Sequence, residues 1–287
     1  MQPQSRIDPV KFEVIRNALV EATEEMAIAL RRSAYSTNIK TRADFSCAFF
    51  DRQLQLVAQA FTQPVHLGSL SVLVPRAIEE YGRENLGPGD GVLTNDPYRG
   101  GSHLPDITVV TPVFASPDGG PGELVFLLAN RAHHAEIGGV TPGSMPPFSQ
   151  SLAEEGVLIR NFALVRQGQW QGEQLRELLA AGPHPTRSIE DNMADLRAQV
   201  AANQQGQQDL LALIEQQGCP QVLFYMQAIQ GAAEQKMRMA LERLEDGEYP
   251  FEDFLDDGSR IAVTVTIQGD QAVIDFQGSS DVVPGNL

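Results

Sequence analysis

Five histidines are spread over 287 residues, and four of them, His66, His103, His133 and His134, fall in the first half of the chain. In Gly100-Gly101-Ser102-His103-Leu104-Pro105-Asp106 an imidazole and a carboxylate stand three residues apart. The glycines permit a tight bend and Pro105 restricts the backbone, so both side chains can face one cation. A second cluster, Asn130-Arg131-Ala132-His133-His134-Ala135-Glu136-Ile137-Gly138-Gly139, follows the apolar run Val125 to Ala129 and leads into glycines. Adjacent strand residues point to opposite faces, so only one of His133 and His134 should meet the same ion unless the strand has ended, leaving the other for substrate binding or proton transfer. Asp44, in Arg42-Ala43-Asp44-Phe45-Ser46, is an acid opening an apolar strand. His103, Asp106, one of His133/His134 and Asp44 make a set of two nitrogens and two oxygens, suited to zinc, manganese, iron or cobalt rather than to a thiolate-only metal. With an open coordination position, such an ion would lower the pKa of bound water and polarise a carbonyl-type oxygen. The same spacing equally describes a satisfied His–Asp hydrogen bond inside a folded loop, and spacing alone leaves both readings open.

These residues need elements to hold them. Asp8-Pro9 reads as an N-cap followed by a first-turn proline, and Val10, Val14, Ile15, Ala18, Leu19, Ala22, Met26 and Leu30 keep helical spacing, so a long helix is expected over about 9–34. Phe45 to Phe50 and Leu54 to Ala60 are apolar runs divided by Asp51-Arg52-Gln53, which predicts two strands and a tight turn. Helical periodicity returns over Ser69 to Tyr81, and a short strand is expected over Val92 to Asn95, after the turn residues Gly87 to Gly91. Ile107 to Phe114 and Glu123 to Asn130 should pair as a hairpin about the turn Ser116 to Gly122, and Thr141 to Gln150 should be an ordered loop or a lid. Ser188 to Leu244 predicts two helices broken near Gln217 to Pro220, and Arg260 to Phe276 a strand pair about Gln268-Gly269-Asp270. Asp96 reads as a turn cap, and His184, between prolines, as exposed. The fold class expected is α+β, with mixed sheets and long helices in the N-terminal part and the C-terminal half. It divides into a metal-site α+β region over 1–185 and a helical region with a terminal strand pair over 186–287.

Composition excludes several classes. A net charge of −16 opposes a phosphate backbone, so no nucleic-acid partner is expected. No apolar run reaches the ~18 residues of a membrane span. Cys47 and Cys219 lie far apart, outside any CxxC spacing, and read as buried small hydrophobes. The start, MQPQSRIDPVKFEVI, has no apolar stretch followed by a small-residue cleavage site, which makes the cytoplasm the expected location. Neither GxxxxGK[ST] nor a helix-opening GxGxxG occurs, so any nucleotide is expected on a partner, and no GxSxG elbow offers covalent catalysis.

The ordered series Asp8-Pro9-Val10, Arg42-Ala43-Asp44-Phe45-Ser46, Pro64-Val65-His66-Leu67-Gly68, Asn95-Asp96-Pro97-Tyr98, Gly101-Ser102-His103-Leu104-Pro105-Asp106 and Arg131-Ala132-His133-His134-Ala135-Glu136-Ile137-Gly138 resembles the hydantoinase B family over essentially the whole chain. That family includes N-methylhydantoinase B subunits, the C-terminal part of 5-oxoprolinases, lactamases and, more distantly, a subunit of acetone carboxylases. The resemblance implies a hetero-oligomer in which an A-type ATPase subunit phosphorylates a cyclic amide and the B-type subunit hydrolyses the activated species at a divalent metal. It makes His103 and Asp106 ligands, completed by His133 or His134 and Asp44, with His66 and Glu136 in supporting or proton-transfer roles. Two other readings accompany it: an acetone carboxylase-like ATP-dependent carboxylase, and a non-catalytic fragment that binds the ATPase. Family members continue beyond Asp275-Phe276-Gln277-Gly278-Ser279-Ser280, so the end at Gly285-Asn286-Leu287 suggests truncation.

Overall fold

The computed structural model describes residues 7–116, 122–283 and 285. The readings made on the first six residues, on most of the turn Ser116 to Gly122 and on Asn286-Leu287 lie outside them.

The described chain forms two compact units, Met1–Met226 and Gln227–Leu287. The first opens with α1 (Pro9–Ser33), where the Asp8 carboxylate accepts from the Val10 and Lys11 N–H groups as the N-cap reading requires. After α2 (Thr37–Lys40) come β1 (Phe45–Asp51), β2 (Leu56–Gln59) and α3 (Pro64–Tyr81). Next are β3 (Gly91–Thr94), β4 (Asp106–Ala115), β5 (Glu123–His133), α4 (Leu152–Glu155), β6 (Phe162–Arg166), β7 (Gln169–Trp170) and α5 (Gly172–Leu179). The long α6 (Ile189–Gln217) follows, then α7 (Cys219–Leu241), whose residues from Gln227 on belong to the second unit.

The seven strands of this unit form one sheet in the order β2-β1-β5-β4-β3-β6-β7. Every pair among the described residues is antiparallel. The α+β class stands, but the expectation of mixed sheets is corrected. Parallel neighbours need long crossovers, whereas the central strands here are joined antiparallel, β4 directly to β5.

Two helix layers enclose the sheet. On one face α3 buries Leu70, Leu73, Val74 and Ile78 against Phe50, Val92, Val110 and Leu127. On the other lie α1 and α6, which pack on each other and on the sheet. Their approach is close at Gly206, where an added Cβ would collide with the Met26 side chain. Cys47 and Cys219 are free and buried, as read. Burial and the Glu24 charge push the Cys47 thiol well above its ordinary range, so it acts as core.

The second unit contains β8 (Gly247–Phe254), β9 (Arg260–Gln268) and β10 (Gln271–Asp275), an antiparallel sheet in the order β10-β9-β8. The strand pair about Gln268-Gly269-Asp270 is therefore present, and β8 is added to it. No helix among the described residues is long and apolar enough to cross a membrane.

Candidate metal centre

The register of three strands assembles the centre. Asp106 opens β4 directly opposite His133, the last residue of β5. The His133 N–H donates to the carbonyl of Asp44, just before β1. The expected helix over Ser69 to Tyr81 begins five residues earlier, at Pro64, whose missing N–H and fixed φ suit the first turn. That earlier start puts His66 on a helix rather than in a loop and carries its ring, 3% exposed, beneath Asp106.

His103 sits in a loop pressed flat on α3. Gly100 has φ +96°, and a Cβ there would lie 2.7 Å from the Leu73 nitrogen, so only glycine fits. The buried Asn95 amide donates to the carbonyls of Leu104 (2.8 Å) and Val157 (3.0 Å), while its oxygen accepts from the Ile159 N–H at 2.7 Å. Asp96 accepts from the Tyr98 N–H and pairs with Arg160, which bears out the turn-cap reading.

Three imidazoles meet on Asp106. His66 Nε2 lies 3.2 Å and His103 Nδ1 3.3 Å from Oδ2, and His133 Nδ1 lies 3.2 Å from Oδ1. The Ser102 hydroxyl donates to Oδ2 as well. Asp44 stands on the open side, 3.8 Å from His66 Nε2 and 4.0 Å from His133 Nδ1, with its side chain 33% exposed. Burial alone would raise the Asp106 carboxyl, but the hydrogen bonds from His103, His133 and His66 outweigh it and hold the group well below the usual carboxylate range. Asp106 is thus ionised. Among the described residues the buried His66 Nδ1 has no hydrogen-bond partner, which fits a bare lone pair there and the proton on Nε2, facing Asp106.

Donor atoms of His103, Asp106 and His133 all lie within 4.8 Å of one another, so one ion could reach all three. An imidazole-carboxylate set without sulfur suits zinc, manganese, iron or cobalt. The residues present therefore fit a divalent metal.

His134 and Glu136 are placed elsewhere. His134 is fully buried on the α6 side of β5, with Nδ1 accepting from Asn192 Nδ2 (3.0 Å) and Nε2 against Gln199 Oε1 (2.9 Å). Burial lowers its pKa, opposed by the Asp195 charge and the Gln199 bond, and the ring stays neutral. Glu136 accepts from the N–H groups of Gly138 (2.7 Å) and Gly143 (3.0 Å) and from Arg187 Nη1 (2.9 Å), tying down the loop over 138–144. Among the described residues, no hydrogen bond or ion pair joins either side chain to the cluster on Asp106. His184 is half-buried rather than fully exposed, because its carbonyl receives the Gly139 N–H.

Sequence reasoning passed over Ser102 and Arg131. Arg131 is fully buried on the same face as His133, and burial lowers its guanidinium to about 10 against the opposing pull of the Asp106 charge. A signal existed: Arg131 is a charge two residues from His133, soon after the apolar run Val125 to Ala129 of the same strand, and a two-residue step keeps the same face.

Comparison with known proteins adds an independent line. The Hydantoinase B/oxoprolinase family model matches residues 8–287. The chain is 43% identical over 303 residues to 5-oxoprolinase 1 of Arabidopsis thaliana, covering 97% of this chain and 24% of that protein. It resembles the structure of the ATP-dependent caprolactamase from Pseudomonas jessenii with a TM-score of 0.88 at 30% identity, covering 98% of this chain and 48% of the other. An acetone carboxylase in its nucleotide-free form shares the fold, with a TM-score of 0.80 at 18% identity over 95% of this chain and 38% of that one. The chain thus spans about a quarter to a half of the length of these relatives.

Proposed function

The chain belongs to the Hydantoinase B/oxoprolinase family, and on that premise we propose that it forms the metal-holding part of a B-type subunit in an ATP-dependent amidohydrolase. The substrate class is a cyclic amide, a hydantoin, 5-oxoproline or a lactam, phosphorylated beforehand by an A-type partner that carries the ATP. The observation behind this reading is the convergence of His66, His103 and His133 on one buried carboxylate, with Asp44 beside them. Likeness to a 5-oxoprolinase and to an ATP-dependent caprolactamase supports the amide as substrate. The absence of a phosphate-binding glycine motif from the sequence supports nucleotide on a partner.

In this reading His103, Asp106 and His133 hold the metal and Asp44 completes its shell from the open side. When bound, the ion supplies Lewis acidity toward a carbonyl-type oxygen. His66 holds a proton on Nε2 against Asp106 Oδ2, fixing the carboxylate as an outer hydrogen bond to a ligand does. Asp44 and His103, with side chains 33% and 31% exposed, are the groups the activated amide meets first. An unstrained amide is a poor electrophile, whereas O-phosphorylation activates its carbon. Water adds there, the C–N bond breaks as the ring nitrogen takes a proton, and the acyl phosphate so formed is hydrolysed by a second water to the carboxylate and inorganic phosphate. His134 and Glu136 serve the surrounding architecture in this scheme.

The test is metal analysis of the purified chain beside its His103→Ala variant, together with hydrolysis assays on the three cyclic amides in the presence of the A-type partner and ATP. The variant should lose metal and hydrolysis while the partner still consumes ATP. Equal metal content in the two proteins would remove the site assignment.

A further inference from the structure

We propose that Arg131 is a positioning residue for this centre: one buried guanidinium ties together the four chain segments that present His66, His103, Asp106 and His133. The inference rests on the metal reading of the centre given above. Arg131 is fully buried and, among the described residues, is the largest fully buried side chain. Its own strand, β5, carries His133 two residues on, on the same face. Nε donates to Thr108 Oγ1 at 3.0 Å, and Thr108 lies on β4 two residues beyond Asp106 and directly across from Arg131. Nη1 donates to the Ser69 hydroxyl on α3. That hydroxyl lies 3.0 Å from the His66 carbonyl, so the contact reaches the turn that carries His66. Nη2 donates to the Gly100 carbonyl at 3.3 Å, in the loop that leads to His103.

This arrangement is costly as mere packing. Taking a cation out of water carries a penalty of several kcal/mol, and an apolar side chain of similar volume commonly fills such a place at no loss. Among the described residues no carboxylate lies within ion-pair distance of Arg131, and the charge that acts on it is Asp106. What only arginine supplies is a planar fork whose donors reach several acceptors in fixed directions. Here the three acceptors belong to three different elements, and each leads within three residues to a member of the centre. A rigid tie of this kind holds donor atoms at ligand spacing before any ion arrives.

The experiment keeps the charge and removes the fork. Cobalt(II) is titrated into the metal-stripped chain and into Arg131→Lys, Ser69→Ala and Thr108→Val, reading the dissociation constant by chelator competition and the visible absorption bands. Thermal melting of each metal-free protein runs alongside. Arg131→Lys should bind cobalt about 10- to 100-fold more weakly, the range for lost outer hydrogen bonds, with shifted bands. The two hydroxyl variants should follow in the same direction with smaller losses. A purely structural arginine would lower the melting temperature yet leave affinity and spectrum of the folded protein unchanged, and that result overturns the proposal. If Arg131→Lys does not fold, wild-type affinity in both hydroxyl variants overturns it equally. Failure of the wild type to bind cobalt would instead strike the metal reading itself, and this inference with it.

Discussion

His133 and His134 are neighbours in the chain, yet they belong to two sides of β5 built on opposite rules. On the α3 side, imidazoles and carboxylates crowd together at 3.1–4.0 Å. On the α6 side a seam of amides leaves nothing to spare. Asn130 Nδ2 donates to the Gln199 carbonyl (2.7 Å) and to Asn203 Oδ1 (2.8 Å). Gln199 Nε2 donates to the Ile107 carbonyl and to Asn130 Oδ1, both at 2.9 Å. Asn203 Nδ2 reaches the Val109 carbonyl at 3.2 Å and Thr111 Oγ1 at 2.9 Å. Neutral groups matched donor to acceptor fix how α6 lies on the sheet, because a buried amide left unpaired costs more than a made bond gains. Charged and unsaturated groups on the other side keep coordinating capacity. The same residue type therefore does architecture on one face and gathers on a buried carboxylate on the other.

The sharpest way to break this contrast is to remove each imidazole in turn. His133→Ala should take metal from about one equivalent to background, as loss of a ligand from a small site does. His134→Ala should keep its metal and lose about 2 kcal/mol of stability, since it strands Asn192 and Gln199. Metal analysis and urea unfolding read the two outcomes, and metal loss in His134→Ala would erase the distinction. A smaller effect is expected at the far end of the seam, where Asn203→Leu should cost about 1–2 kcal/mol in urea unfolding with cobalt affinity untouched. A drop in that affinity would show that the two faces are coupled through β4 and β5.

The smallest effect concerns pH. The folded pKa of His134 lies below its ordinary value because of burial, so the unfolded chain binds more protons as pH falls. Its contribution is present above about pH 6.5 and is lost as pH drops toward the folded value. In the metal-free protein, His134→Gln should flatten the stability profile on the acid side of that point, measured by urea unfolding at stepped pH. An unchanged slope would mean that the ring is already charged in the fold.

Elements with strong periodicity were legible. The helical stripe from Val10 to Leu30 gave α1 to within a residue, and the break at Gly218 separates α6 from α7 where expected. Strand β8 was not, because Gly247–Phe254 contains Pro250 and the acids Glu248, Glu252 and Asp253, which mask a strand signal. It pairs antiparallel with β9, from Gly247 opposite Ile267 to Phe254 opposite Arg260. Periodicity over Ser69 to Tyr81 located the body of α3 but not its first turn at Pro64, and with that turn went the burial of His66.

The residue types of the centre were visible in the sequence: histidines beside glycines and acids are distinctive without any coordinates, and a local spacing such as His103 to Asp106 is carried by the chain itself. Strand alternation, a local property, also led to the expectation that His133 and His134 diverge unless the strand has ended, and β5 ends at His133. Only the tertiary structure decided which of them turns toward Asp106, because that depends on the register of β5 against β4 and on which helix covers each face. It alone decided the place of Arg131, whose three acceptors come from segments 23, 31 and 62 residues away. Contacts at such separations follow from how packed layers align, and no local pattern encodes that alignment.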